Sequence, residues 1–175
     1  MSSFHHSKKG QFYILAALLL ISYAFSLKSE VSLRKPEDPF KLLSESYISE
    51  GTRAINNAVY EDAAVTARFA NYTDSYLAFA KSAEPGFRLA YLFRYRGQLV
   101  IGNRLGFAIN ATVRNSSYIL SDGEDLIVAD QAGAFMAALR FAGVAYGFGF
   151  SADDAQLKAL FRNSDRIATR ILVQG

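Results

Sequence analysis

The feature that most constrains this 175-residue chain is an uncharged stretch of eighteen residues, GQFYILAALLLISYAFSL, between Lys9 and Lys28. As an α-helix rising ~1.5 Å per residue it measures about 27 Å, close to the ~30 Å hydrocarbon core of a bilayer. Apolar side chains occupy every face of this helix, which favours a membrane span over the core helix of a soluble protein. The side chains expected to contact lipid or neighbouring helices are those of Phe12, Ile14, Leu15, Leu18, Leu19, Ile21 and Phe25.

The charges that flank this stretch predict its orientation. Lys8 and Lys9 precede it, and the positive-inside bias places such residues in the cytoplasm. Lys28 and the basic residues after it weaken the bias without reversing it. We therefore expect a cytoplasmic N-terminus, membrane lipid as a partner and an extracellular C-terminal domain at the cell surface.

Two kinds of targeting signal fit the stretch. An ordinary secretory signal needs small residues near the end of the apolar run, and Ala24 with either Ser22 or Ser26 meets that need. The other kind depends on Lys8, Lys9, Gly10 and Gln11, which adjoin the run on its cytoplasmic side.

Basic residues followed by Gly and Gln at this boundary resemble the class III signal peptide of archaeal type IV pilin-like proteins. The resemblance implies that a prepilin peptidase cuts between Gly10 and Gln11 and that the apolar helix stays on the mature protein. It also implies a non-catalytic surface filament subunit, which assembles with other pilin-like subunits in adhesion or a related role. The resemblance rests on motifs only in the N-terminal region, and Leu15 stands where many bacterial pilins carry Glu.

The domain organisation follows from this signal and from two prolines. Pro36 and Pro39 interrupt what would be one long pilin helix, because helices usually end before a proline. The expected parts are a cytoplasmic signal segment at 1–10, a transmembrane or filament-core helix at 11–28, a hinge at 29–39 and an extracellular domain at 40–175.

The expected domain is α+β, with one or two helices packed on an antiparallel β-sheet. The first helical pattern consists of Phe40, Leu43, Tyr47, Gly51, Ile55 and Ala58, at steps of three and four. A second helix is expected from about Glu61 to Ser82, with a core face formed by Phe69, Tyr72, Tyr76 and Phe79.

Alternating patterns predict the strands. Residues 87–96 alternate as in a half-buried strand, and residues 107–114 alternate again. Residues 118–120 and 126–129 are predicted to pair across the turn at 122–124.

The C-terminal part is less clear. Residues 144–150 alternate like a strand, whereas the first half of the segment 131–150 fits a helix or a strand. Residues 151–154 resemble a helix start, but the alternation over 157–161 and the β-branched run 166–174 favour a terminal hairpin. We expect the hairpin.

Three Asn-x-Ser/Thr sequons, at Asn71, Asn110 and Asn115, are candidate N-glycosylation sites. All three follow the predicted span, so in the expected topology they face a glycosylation machinery outside the membrane. Asn71 points away from the predicted aromatic face, and Asn110 lies on the polar face of its strand. The same residues are also explained as ordinary surface polar groups.

Binding of a polyanion has weak support. Arg88, Arg94 and Arg96 share one predicted strand face, which we interpret as solvated and paired with acidic residues of a neighbouring strand. The net charge of the whole chain is only +3, so no nucleic acid partner is expected.

Catalysis also has weak support. The chain has no Cys, and its two His, His5 and His6, precede the predicted span, which removes His-dependent nucleophiles and imidazole- or thiolate-bound zinc from the exported domain. The remaining candidates for a carboxylate pair are Asp122, Glu124, Asp125, Asp130, Asp153 and Asp154. The first three of them form an acidic turn that is also a candidate for weak Ca²⁺ binding. Turn and cap roles explain these residues more simply, so neither a cofactor nor a metal is expected. The alternative functions are a monomeric anchored or secreted adhesin and, less favoured, an extracellular hydrolase.

Overall fold

The computed structural model describes residues 38–61, 64–129, 132–152, 155–164 and 169–174. All of them belong to one compact unit that begins at Asp38. The predicted signal segment, the predicted span and the first part of the predicted hinge lie outside the described residues.

The described chain begins with two helices and continues as nine strands. The helices are α1 (Pro39–Tyr60) and α2 (Val65–Ala83). The strands are β1 (Phe87–Tyr95), β2 (Gln98–Arg104), β3 (Ile109–Val113), β4 (Ser116–Leu120), β5 (Asp125–Val128), β6 (Phe135–Phe141), β7 (Val144–Phe150), β8 (Gln156–Ser164) and β9 (Thr169–Gln174). The α+β expectation is confirmed, and so is the terminal hairpin, because β8 and β9 pair antiparallel. Neither α1 nor α2 is both long and apolar enough to cross a lipid bilayer.

The strands form two antiparallel sheets rather than one. The first sheet has the order β5-β2-β1-β8-β9, and the second has the order β4-β3-β6-β7. The helices pack on one face of the first sheet, and the second sheet packs on its other face. Two hydrophobic cores result, one on each side of the first sheet.

Helix α1 begins as its sequence dictates. Asp38 is extended, and its side chain accepts a hydrogen bond of 3.2 Å from the backbone N–H of Phe40. Pro39 occupies the first turn, where a missing N–H costs nothing. All six residues of the predicted apolar pattern of α1 are buried.

Helix α2 departs from its prediction in two respects. It begins at Val65 rather than near Glu61. Phe79, the last member of the predicted core face, is 63% exposed, whereas Leu77 and Ala80 are buried. The core face continues through Leu77 and Ala80, which lie on the same side of the helix as Tyr76, and Phe79 lies outside it. The prediction is therefore wrong at Phe79.

The strand predicted at 87–96 is confirmed as β1, but its predicted half-burial is wrong. Leu89 and Tyr91 face the helices, while Ala90 and Leu92 face the second sheet, and all four are fully buried. β1 is the middle strand of the first sheet and has a packed layer on both faces. Alternate residues of β1 therefore point into one core or the other, and neither set points into solvent.

The predicted pairing of 126–129 with 118–120 is also wrong. β5 pairs with β2 of the first sheet, with Ile101 opposite Leu126, whereas β4 pairs with β3 of the second sheet. The turn between β4 and β5 is held on Asn103 at the end of β2: the backbone N–H of Gly123 donates to the Asn103 carbonyl at 2.8 Å. This turn therefore carries the chain from one sheet to the other.

Buried Asn103 also shapes the passage from β2 to β3. Its side-chain amide donates to the carbonyls of Phe107 at 2.8 Å and Leu120 at 3.1 Å, and its Oδ1 accepts from the Leu105 N–H at 3.1 Å. Backbone groups that leave the sheets at this point are thereby paired, as burial requires.

Candidate functional site

The residues that carry the signal and membrane predictions lie outside the described residues, so those predictions stay predictions. They are Lys8, Lys9, Gly10, Gln11, Phe12, Ile14, Leu15, Leu18, Leu19, Ile21 and Phe25. The described body starts thirteen residues beyond Phe25, at Asp38, whose carboxylate forms an ion pair with Arg170 of β9. The start of α1 is thus fixed to the edge strand of the first sheet.

The three sequons lie apart. Asn71 is exposed on α2, and Asn115 is exposed in the turn between β3 and β4. Asn110 lies in β3, opposite Ile119 and Arg140, and is half-buried. Its Oδ1 is buried and has no hydrogen-bond partner among the described residues. Asn71 and Asn115 are therefore better placed than Asn110 to accept a glycan.

The three acidic residues of the β4–β5 turn have structural partners. Asp122 Oδ1 accepts from the backbone N–H of Gly106 at 2.8 Å, and Glu124 Oε2 accepts from that of Ser121 at 2.5 Å. Both oxygens of Asp125 accept from the Arg104 guanidinium, at 3.0 and 3.2 Å.

The other acidic candidates, Asp130, Asp153 and Asp154, lie outside the described residues. The described ranges contain no group of three or more His, Cys, Asp or Glu side chains arranged to hold a metal ion.

Arg104 is the centre of the strongest charge network in the described body. Its Nε donates to Asp74 of α2 at 2.8 Å, and its two terminal nitrogens bind Asp125 of β5. Tyr91 of β1 also donates to Asp125, at 2.8 Å. Burial alone would lower the pKa of Arg104, but the hydrogen bonds to the two carboxylates outweigh it and raise that pKa. The network joins α2 to three strands of the first sheet.

A cleft of about 350 Å³ adjoins this network. Its polar lining comes from Asp74, Lys81, Arg88, Arg104 and Asp122. Because Arg104 and Asp122 already have partners inside the protein, the cleft offers a ligand chiefly Lys81 and Arg88.

The predicted arginine face does not exist as one solvated surface. Arg94 is 3% exposed, donates to the carbonyl of Ser151 and lies 5.5 Å from the centre of the Phe135 ring. Arg88 is half-buried, and Arg96 lies beyond the end of β1, in the turn to β2 with a φ of 46°. The second sheet covers this face of β1, which sequence alternation alone did not reveal.

A second concave site, missed by sequence reasoning, lies between the edge strands β7 and β9. We name it the aromatic groove; it encloses about 500 Å³. The Phe141 ring lies 5.1 Å from Tyr146 and 5.3 Å from Phe107, measured between centroids. Arg162 of β8 lies over the Phe107 ring at 5.2 Å. The signal for it in the sequence was weak: Phe141 and Tyr146 lie on either side of the turn at Ala142 and Gly143, between β6 and β7.

No family model, no curated protein and no solved structure matches this chain. The pilin resemblance therefore rests on the N-terminal residues themselves. A function for the chain has to be argued from its own sequence and geometry.

Proposed function

We propose that this chain is a membrane-anchored exported protein, a subunit of a surface filament resembling archaeal type IV pilins. The proposal is carried by one observation: the uncharged run 10–27 follows Lys8 and Lys9 and ends shortly before the folded body starts at Asp38. A long apolar run with basic residues on one side is typical of a helix that stays in the bilayer with those residues in the cytoplasm.

The physical basis of assembly is an exchange of contacts. A helix stored in lipid moves into a bundle of identical helices, where protein neighbours replace lipid tails and no apolar surface meets water. Head-to-tail repetition of one such interface produces a helical filament. The body, residues 38–175, is then displayed on the outside.

Features of the described body support its role as the displayed part. Among the described residues, two packed cores are formed by side chains from Phe40 onward, as expected of a folded domain. Asn71 and Asn115 are exposed, as N-glycosylated residues of an exported domain would be. The same observations fit a monomeric adhesin, so the decisive test concerns processing and assembly.

The first test is the mass of the mature protein after co-expression with an archaeal prepilin peptidase. We expect the protein to start at Gln11, and we expect Gly10→Val to abolish this product because a β-branched side chain obstructs an extended scissile backbone. Ser7→Val, which places the same β-branched side chain outside the motif, is the matched control and should be cut normally. A start near Lys28 would indicate ordinary secretion, and an intact Met1 a simple signal anchor; either result contradicts the proposal.

The second test is assembly in the native host. Filaments containing this chain should appear in sheared surface fractions of cells with the wild-type protein or Ser7→Val, and should be absent with Gly10→Val. A correctly processed protein that stays monomeric in the membrane would favour the adhesin function.

A further inference from the structure

The aromatic groove has the size and lining of a small-molecule site. Its volume of about 500 Å³ falls within the ~300–1,000 Å³ range of ligand pockets. Its walls are mostly aromatic and aliphatic, and the edge-strand side chains of Val144 and Ile171 are 49% and 38% exposed there. Apolar groups are thus left facing water along both sides of the groove.

The groove also presents a positive charge that has no counter-ion among the described residues. Arg162 is half-buried, and no carboxylate of the described residues forms an ion pair with its guanidinium, which lies over the Phe107 ring. Three other arginines of the described body show a different arrangement, since each forms at least one ion pair with an acidic side chain. These arginines are Arg68, Arg104 and Arg170, with Arg104 serving two carboxylates.

The residue opposite Arg162 strengthens the positive potential. In the antiparallel pair of β1 and β8, Arg162 lies directly opposite Arg88 on the same face. The Arg88 guanidinium donates only to backbone carbonyls of the described chain, those of Pro85 at 3.1 Å and Phe87 at 2.8 Å. Like charges directly opposite each other destabilise a sheet, and a bound anion relieves that repulsion.

We propose that the aromatic groove binds an organic anion with a flat apolar body, of the aromatic carboxylate class. The Arg162 guanidinium binds the carboxylate through charge-assisted hydrogen bonds, and the rings of Phe141 and Tyr146 pack against the body. Charge complementarity selects this occupant over a neutral apolar one, because only an anion neutralises the Arg162 guanidinium in the groove. This site is independent of the apolar run and of filament assembly.

The experiment compares two probes of nearly equal shape, 2-naphthoate and its neutral counterpart 2-naphthamide. Binding to the full chain in lipid nanodiscs is measured by equilibrium dialysis, with empty nanodiscs giving the lipid background. We expect 2-naphthoate to bind more tightly than 2-naphthamide. Arg162→Gln should weaken 2-naphthoate binding about tenfold, because a charge-assisted contact is lost, and should leave 2-naphthamide binding nearly unchanged.

Two further variants separate this site from a general effect of charge or folding. Arg96→Gln makes the same charge change in the exposed β1–β2 turn and should leave both affinities unchanged. Tyr146→Ala removes part of the apolar wall and should weaken both probes. Thermal unfolding midpoints establish that each variant is folded. The proposal is overturned if 2-naphthoate binds no better than to empty nanodiscs, or if Arg162→Gln and Arg96→Gln have equal effects.

Discussion

At the scale of single residues, Gly102 shows how closely side chains are packed in the core between the helices and the first sheet. A Cβ atom at this position of β2 would lie 2.2 Å from two ring carbons of Tyr91 and 2.6 Å from Asp125 Oδ1. The glycine therefore leaves the space in which the Tyr91 hydroxyl reaches Asp125, and Asp125 in turn holds Arg104.

We expect Gly102→Ala to lower the free energy of unfolding by about 3 kcal/mol, because the methyl group displaces a buried ring that cannot move without breaking its hydrogen bond. Gly147→Ala is the matched control, since its Cβ would meet only the flexible end of Met136 at 3.6 Å. Urea unfolding of both variants measures the difference. Equal midpoints for the two variants would contradict the packing described for Tyr91.

At the same scale, the sequence was informative about apolar residues and misleading about polar ones. The periodic positions of α1 are all buried as predicted. Arg94 was expected in solvent and is buried, because a charged residue in an alternating strand does not reveal that a second sheet will cover it. The burial of Asn103 was equally hidden in the sequence, because its hydrogen-bond partners, Phe107 and Leu120, lie later in the chain.

At the scale of elements, tyrosine hydroxyls join the two helices. Tyr76 donates to the Leu43 carbonyl at 2.6 Å, Tyr47 and Thr73 share a hydrogen bond of 2.9 Å, and Tyr72 donates to the Tyr47 carbonyl at 3.3 Å. Burial raises the pKa of each of these three tyrosines above its ordinary value near 10. Burial likewise raises the pKa of Tyr91, with further contributions from Asp125.

These shifts predict alkaline destabilisation. The unfolded chain releases its tyrosine protons near pH 10, before the folded chain does, so stability is fully present below that pH and falls above it. Urea titrations between pH 10 and 11.5 measure how steeply the free energy of unfolding falls with pH. We expect this fall to be less steep in Tyr47→Phe than in the wild type, by up to about 1.4 kcal/mol per pH unit. Tyr60→Phe, at an exposed position, is the matched control. An unchanged slope in Tyr47→Phe would contradict the expectation.

Most elements were predictable because their signals are local, whereas sheet membership was not. The alternation over 107–114 gave β3, and the pattern at the C-terminus gave the β8–β9 hairpin. The pairing predicted for 126–129 failed because a turn signal marks a change of direction without saying which sheet the chain enters. That choice depends on Asn103, which holds the turn through backbone hydrogen bonds.

At the scale of the whole molecule, the position of each strand in the two sheets predicts its stability. β1 is paired on both sides and covered on both faces, whereas β9 is the edge strand of the same sheet and is mostly half-buried or exposed. We expect amides of β1 to exchange with deuterium most slowly and those of β9 much faster, as measured by hydrogen exchange and mass spectrometry. Protection of β9 equal to that of β1 would mean that its free edge is covered in solution.

The two candidate sites differ in how far apart their residues lie in the sequence. The membrane and processing signals are contiguous in sequence, so they were found without a structure. The aromatic groove combines Phe107, Tyr146 and Arg162 from separate parts of the chain, and only the packing of β7 and β9 at one side of the sandwich brings them together.

The two cores differ in their aromatic composition, and that difference has a practical consequence. The fully or nearly buried tyrosines Tyr47, Tyr76 and Tyr91 belong to the core between the helices and the first sheet, whereas the buried rings of the other core are phenylalanines. The chain contains no tryptophan to mask them. The near-ultraviolet circular dichroism that the described body contributes in the tyrosine band will therefore respond mainly to the helical side, so loosening of the helices can be followed optically without attaching a label.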